Sequence, residues 1–465
     1  MGIEDKRFIV KVVEKQVVYA KDNEPWNVDH WLPFTNLDLL VPPFDVGSFF
    51  CYNKPSHGSF RATLKVLKES LSRALALYYP LSGEIAWNGV SGENQIHCNN
   101  QGVDFTEAFA DVELKELNLY NPDECIEGKL MPKKPRGVLA VQITELKCGG
   151  MVIGCMFDHR AADGYSANMF ISSWADLARS EIPSMFPSFQ RSILNPRCPT
   201  TYSPSIDNVF APFLPSPELE NSQSQEDDDD SLLVNRIFYI ESEQLKTLQL
   251  LASENGRRRS KLEAFTSFLW KIVALSMESS GNHNQICNMA IAVDGRSRLS
   301  QGDGEEKGKL VASHFGNVLS MPYGSKTSQE LKEMSLSNVA TEVHDFLQTA
   351  TTKEHFLDLI DWVEERRSQP LIARAFANGE MAMMVSSGQR FQIMDKMDFG
   401  WGKVAFGSCH VPSARKDCYV MTLPSPSNNE DWVVYMHLPL KHMSYIEAHA
   451  RHMFKPLNTD YLKIS

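Results

Sequence analysis

Within this chain, the loop His159-Arg160-Ala161-Ala162-Asp163-Gly164 sets an imidazole four positions before a carboxylate. It follows the apolar run Met151-Val152-Ile153-Gly154-Cys155-Met156-Phe157, itself preceded by the turn pair Gly149-Gly150. A short apolar run bounded by a turn reads as a buried strand. A histidine at the end of such a strand stands where a rigid scaffold presents side chains to a cleft. With an ordinary pKa of about 6.5, an imidazole is largely neutral at pH 7 and able to take a proton. Held against a substrate hydroxyl, one such base contributes roughly 10²–10⁴ in rate. Spacing alone leaves another reading open, since a histidine at a strand end also caps or fills space, and the chain has thirteen of them.

The elements that must position this loop are legible around it. Residues 137–146 read as a strand that makes a hairpin with the apolar run across Lys147-Cys148-Gly149-Gly150. After Gly164 the pattern turns helical, with Tyr165, Met169, Phe170, Trp174 and Leu177 on one face. Upstream, residues 8–13 and 16–20 read as two strands and residues 64–75 as an amphipathic helix. From about 181 to 231 the composition shifts: eight prolines precede Ser222-Gln223-Ser224-Gln225-Glu226-Asp227-Asp228-Asp229-Asp230. Proline and like charges oppose packed regular structure, so this stretch reads as a crossover between two domains.

Beyond it, residues 233–240 read as a strand and 242–254 as a helix. In Gly256-Arg257-Arg258-Arg259-Ser260-Lys261-Leu262-Glu263, Ser260 and Glu263 form a capping-box pattern that starts a helix running through Trp270. Four cations crowd that helix start, where exposed amides and the helix dipole favour a phosphate; a solvated basic turn is the other reading. Near the C-terminus, Asp398-Phe399-Gly400-Trp401-Gly402 reads as a tight loop set by its backbone.

Composition excludes several classes. With 465 residues, 43% hydrophobic and 22% charged, the chain suits two or three globular domains. No apolar run approaches the ~18–20 residues that cross a bilayer. The first and last residues carry no signal core, myristoylation, retention, peroxisomal or prenylation pattern, so a cytoplasmic protein is expected. Nine scattered cysteines do not suggest a disulfide framework. A net charge of −12 argues against nucleic acid or an anionic membrane as partner. There is no phosphate loop, dinucleotide turn or Gly-x-Ser-x-Gly elbow. His449, His452 and Glu447 read as a surface helix, and His159 with Asp163 lacks a third ligand, so no metal is expected.

His159-x-x-x-Asp163-Gly164 near the middle and Asp398-Phe399-Gly400-Trp401-Gly402 near the end together resemble the plant BAHD acyltransferases. The resemblance covers nearly the whole chain, including Leu37-Asp38-Leu39-Leu40, Ser172-Ser173-Trp174-Ala175, Asp294-Gly295-Arg296 and Phe315-Gly316-Asn317-Val318. It implies an α/β fold of two chloramphenicol-acetyltransferase-like domains, residues 1–182 and 232–465, joined by a crossover over 183–231. The active site would lie in a solvent channel at their interface. It implies acyl transfer from acyl-CoA, a co-substrate rather than a bound cofactor, to an alcohol or amine.

By the same resemblance His159 is the general base, and attack is direct, without an acyl-enzyme. Spacing suggests that Asp163 orients the imidazole; the resemblance implies instead that it pairs with an arginine, Arg296 or secondarily Arg298. Asp398, Gly400 and Trp401 would be structural. Ser260 and Lys261, with Arg257, Arg258 and Arg259, would meet the CoA phosphates, and Ser386 and Ser387 the pantetheine arm. Relatives often carry tryptophan where this chain has Gly388. The likeness is strongest to coniferyl alcohol acyltransferases, through His30-Trp31-Leu32-Pro33-Phe34-Thr35-Asn36-Leu37-Asp38, Phe50-Cys51-Tyr52, Cys98-Asn99-Asn100-Gln101-Gly102-Val103-Asp104-Phe105, Lys147-Cys148-Gly149-Gly150 and Tyr435-Met436-His437-Leu438. That implies an acetyl donor, a phenylpropenyl alcohol acceptor and a monomer. A hydroxycinnamoyl transferase acting on shikimate, quinate or an amine is the alternative, and a ligand-binding protein that retained the fold is the non-enzymatic one.

Overall fold

A computed structural model of the chain describes residues 8–21, 29–55, 58–213, 232–254, 256–279, 284–391, 393–413, 417–428 and 430–464. Two large sheets dominate. The first has six strands in the order Val10–Val18, Val103–Ala110, Leu139–Leu146, Met151–Asp158, Asp45–Tyr52, Phe406–His410. The expected hairpin is there: Leu139–Leu146 and Met151–Asp158 pair antiparallel, Leu139 opposite Phe157. Every residue of Met151–Asp158 is buried, as its unbroken apolar run requires. The two strands expected over 8–13 and 16–20 are one edge strand, Val10–Val18, with a register shift between Val12 and Glu14. A bulge at an exposed edge accommodates the polar interruption.

Helices cover this sheet as the periodicity predicts. Phe60–Leu77 starts at Ser59, whose side chain accepts from the Ala62 amide, and buries Leu64, Leu67, Leu71, Ala74 and Leu75. Gly164–Ala178 packs against it, and the buried Trp174 indole donates to the Leu67 carbonyl at 3.1 Å. The second sheet has seven strands in the order Tyr323–Thr327, Ile286–Ile291, Met381–Ser387, Cys418–Pro424, Trp432–Pro439, Leu233–Ile240, Lys455–Pro456. The helix Lys261–Ser279 packs on it through Trp270, whose indole donates to the Cys287 carbonyl at 3.0 Å. Its start carries the expected capping box: Ser260 N donates to Glu263 Oε2 at 2.7 Å and Glu263 N to Ser260 Oγ at 3.2 Å.

The two halves exchange elements: Phe406–His410, from the second half, is an edge strand of the first sheet. It pairs antiparallel with Asp45–Tyr52, Phe406 opposite Cys51 and His410 opposite Gly47. This strand satisfies the open hydrogen-bonding edge of Asp45–Tyr52, which would otherwise face solvent or another chain. Exchange runs the other way too, since Leu37 and Leu40 sit in the core of the second half. The crossover binds the second half: Phe210–Pro212 pairs with Leu371–Ala373, and Arg197 bridges Asp358 and Asp361, each at 2.6 Å. The acidic run 222–230 lies outside the described residues. Among the described residues no helix is long and apolar enough to cross a membrane.

Candidate active site

His159 follows directly on the central strand Met151–Asp158, so sheet registry fixes its place. Its amide donates to the Phe44 carbonyl at 2.9 Å, and the two rings lie 4.9 Å apart. The backbone of the loop is held from the second half of the chain. Asn317, fully buried, donates through Nδ2 to the carbonyls of His159 and Arg160, both at 3.0 Å. Asn317 is itself held by Asp38, whose Oδ1 accepts from the Asn317 amide at 2.7 Å. Asp38 also accepts from Thr35 N at 2.9 Å and Thr35 Oγ1 at 2.7 Å.

Asp163 turns to the same junction. It caps Gly164–Ala178, accepting from Ser166 N at 2.8 Å, and accepts from Val318 N at 3.1 Å. Arg296 meets it with two nitrogens, at 2.8 and 3.2 Å, in a pair only 3% and 1% exposed. Burial works to raise the Asp163 pKa. The Arg296 guanidinium, its hydrogen bonds and the two backbone amides outweigh burial and hold the carboxyl below the usual carboxylate range. Arg296 also donates to the Gly316 carbonyl at 3.0 Å and the Ser166 hydroxyl at 3.0 Å, and lies 4.4 Å over the Tyr165 ring. Asp163 thus ties the two halves together. Arg298 takes no part in this pair.

Two cavities meet here. One, of about 120 Å³, is mostly apolar, lined by Phe44, Phe50, Phe157, Ile171, Met397 and Leu423 among others. The other, of about 1460 Å³, is lined by residues 38–44, the loop carrying His159, and second-sheet residues such as Ile291, Met384 and Tyr419. His159, Gly164 and Asn168 line both. Ser260, Ser386, Ser387, Arg298 and Arg390 line the large cavity.

The remaining expected site residues divide. Arg257 and Arg258 are exposed and Lys261 half-buried; they neighbour Ser260 without lining the cavity. Arg259 is a correction. It is 2% exposed, donates to Thr341 Oγ1 at 2.9 Å, and its carbonyl accepts from Gln249. It fills the packing between two helices and does not reach a phosphate at the cavity.

Asp398, Gly400 and Trp401 line neither cavity. Asp398 Oδ1 accepts from the amides of Gly400 at 2.8 Å and Gly402 at 3.1 Å, and both glycines hold positive φ, 106° and 121°. Gly388 has a packing reason, for a Cβ there would meet Leu423 Cδ2 at 2.6 Å and Met421 Cε at 2.8 Å.

Sequence reasoning missed Asn317, Asp38 and Asn168. The first two lie in segments quoted above, but only the folded registry reveals that they hold the loop carrying His159.

The sequence model described as "Transferase family" matches residues 8–453. The chain is 28% identical to shikimate O-hydroxycinnamoyltransferase of Nicotiana tabacum, over 89% of this chain and 93% of that protein. It is 28% identical to rosmarinate synthase of Plectranthus scutellarioides, over 90% and 94%. It is 26% identical to anthranilate N-benzoyltransferase protein 1 of Dianthus caryophyllus, over 89% and 95%. Its fold is similar to that of vinorine synthase, with a TM-score of 0.69 at 20% identity over 98% of this chain and 100% of that one. F. graminearum TRI101, complexed with coenzyme A and T-2 mycotoxin, gives a TM-score of 0.70 at 14% identity over 90% and 97%. The chain therefore belongs to the Transferase family, the CoA-dependent BAHD acyltransferases.

Proposed function

We propose that this protein transfers an acyl group, acetyl in the first instance, from acyl-CoA to the hydroxyl of a phenylpropenyl alcohol such as coniferyl alcohol. The observation that carries this reading is the position of His159 at the junction of a one-ring cavity and a much larger one. A cavity of about 120 Å³ is close to the ~150 Å³ apolar void that accepts a benzene ring. CoA, with its phosphates and adenosine, needs the larger space. Ser260, Ser386 and Ser387 there offer hydroxyls to the pantetheine and phosphates, and Arg298 and Arg390 offer charge-assisted donors.

His159 takes the acceptor proton as the oxygen attacks the thioester carbonyl. The resulting tetrahedral oxyanion collapses with cleavage of the C–S bond, and the imidazolium returns the proton to the leaving thiolate. Asp163, committed to Arg296, positions the loop rather than relaying charge. Asp398, Gly400 and Trp401 maintain the frame beside it.

His159→Ala is expected to lower kcat by roughly 10²–10⁴ with the melting temperature retained. Full turnover in the folded variant would remove His159 from its role. A panel of acetyl-, benzoyl- and hydroxycinnamoyl-CoA against coniferyl alcohol, shikimate and simple alcohols, read by free thiol release, tests the substrates.

A second reading has support in the relatives named hydroxycinnamoyltransferases: the ring arrives on the donor, and the acceptor is shikimate, quinate or an amine. The proposal extends to a cytoplasmic monomer, for which light scattering should give 52.5 kDa; six buried thiols suit a reducing compartment.

A further inference from the structure

The oxyanion formed in acyl transfer needs a hydrogen-bond donor, and a donor already aimed at it is a large source of rate. Among the described residues, the polar side chains that line both cavities are His159, Asp163, Asn168 and Tyr419. His159 must take the acceptor's proton. Asp163 is committed to Arg296, and the Tyr419 hydroxyl donates to Met421 Sδ at 3.4 Å. Asn168 remains, with an uncharged amide that keeps its protons throughout.

The helix Gly164–Ala178 places it. Gly164, Ala167, Asn168 and Ile171, at helical spacings of three and four, line the small cavity, while Tyr165, on the adjoining stripe, lines the large one. Asn168 lies between the two stripes, so its side chain reaches both spaces. It is half-buried. Its Oδ1 is buried with no hydrogen-bond partner among the described residues, so Nδ2 is the polar end left toward open space. A buried carbonyl oxygen without a donor is a cost that packing does not return. Proteins carry such costs at functional sites. The amide is also held in readiness, because Asp163 pins the start of its helix to Ser166, Val318 and Arg296.

We propose that Asn168 donates through Nδ2 to the oxyanion that forms at the thioester carbonyl while His159 takes the acceptor's proton. As the new C–O bond forms, the carbonyl π pair moves to oxygen and is met by the amide N–H. As the C–S bond breaks, that pair returns to the carbonyl and the thiolate takes the proton from His159. This deepens the function proposed above and rests on its placing the chemistry at His159, whatever the acceptor.

The test uses the full-length enzyme with acetyl-CoA and coniferyl alcohol, or with 4-hydroxycinnamoyl-CoA and shikimate where the substrate panel favours that pair. Asn168→Leu keeps the size and removes the donor. It is expected to lower kcat by roughly 10²–10³ with both KM values little changed and the melting temperature retained. Its residual activity should keep the parent's pH dependence, because His159 still titrates. Asn168→Asp, which sets an acceptor in the same place, should lose at least as much.

Parental kcat in Asn168→Leu overturns this proposal alone. So does a loss confined to KM, which makes Asn168 a binding contact, and so does failure of both variants to fold, which makes it a structural one. Full turnover in folded His159→Ala overturns the reading of the site itself.

Discussion

Asp163 and Asp398 each head a motif loop, yet they hold the chain in opposite ways. Asp163 is buried and bound by two nitrogens of Arg296 from the far half, and it caps a helix as well. Asp398 is part-exposed, and its carboxylate accepts from the amides of Gly400 and Gly402 in its own loop, while its carbonyl accepts from Arg179. The loop it heads is anchored by rings: Phe399 meets Trp174 at 5.0 Å and stacks on Trp401 at 5.6 Å. The same residue type is a long-range fastener in one place and a local turn former in the other. Prominence of a motif in sequence therefore says little about what its aspartate does.

Substitutions should separate the two. Arg296→Met strands a buried carboxylate and is expected to cost about 3–5 kcal/mol of unfolding free energy, read by urea denaturation. Adding Asp163→Leu should recover part of it; no recovery would mean that the pair is not the source. Asp163→Asn keeps the shape but loses the charge-assisted bonds, at about 2–3 kcal/mol, and turnover should fall with stability. A fully stable but inactive Asp163→Asn protein would show the carboxylate acting on His159 directly.

Acid probes the same contrast, because the Arg296 end rests on the carbonyl of His314. Burial, with Arg191 and Arg296 nearby, pushes the His314 imidazole down to about 2; burial pushes His355 and His442 down to about 4. Folded values below the unfolded one mean that the neutral form is the stabilised form. This stability is complete above about pH 6.5 and lost as pH falls, by about 2 kcal/mol per histidine at pH 5. The Asp163 contribution, from a carboxyl held below its ordinary value, stays intact there and drains only below about pH 4. Stability should therefore begin to fall near pH 6.5, and Asp163→Asn should remove only the Asp163 share of the loss below about pH 4, where His314 still contributes. The smallest effect is expected for Asp398→Ala, about 1 kcal/mol, with turnover of the folded protein retained. A loss as large as that of Arg296→Met would erase the distinction.

Much of this was legible in the sequence, because it is local. The hairpin before His159, the helix after Gly164 and the capping box at Ser260 are each set by a few neighbouring residues. The pairing of Asp163 was not: its four-residue spacing from His159 pointed to the imidazole, and only the family likeness pointed to Arg296. Arg259 looked like its exposed neighbours because a run of cations gives no sign of which member turns inward; the Thr341 and Gln249 contacts come from two other helices. Phe406–His410 is five residues long, and its partner strand lies some 350 positions away. No periodicity announces such an exchange.

That borrowed strand has a practical side. Residues 1–182 produced by themselves would carry Asp45–Tyr52 with one row of amides and carbonyls bare, along a segment rich in phenylalanine. Such a fragment is a template for self-association rather than a miniature of the enzyme. Swapping halves between relatives would also separate His410, from the second half, from the Glu127 of the first with which it shares a buried hydrogen bond, so each chimera must remake that bond between parents.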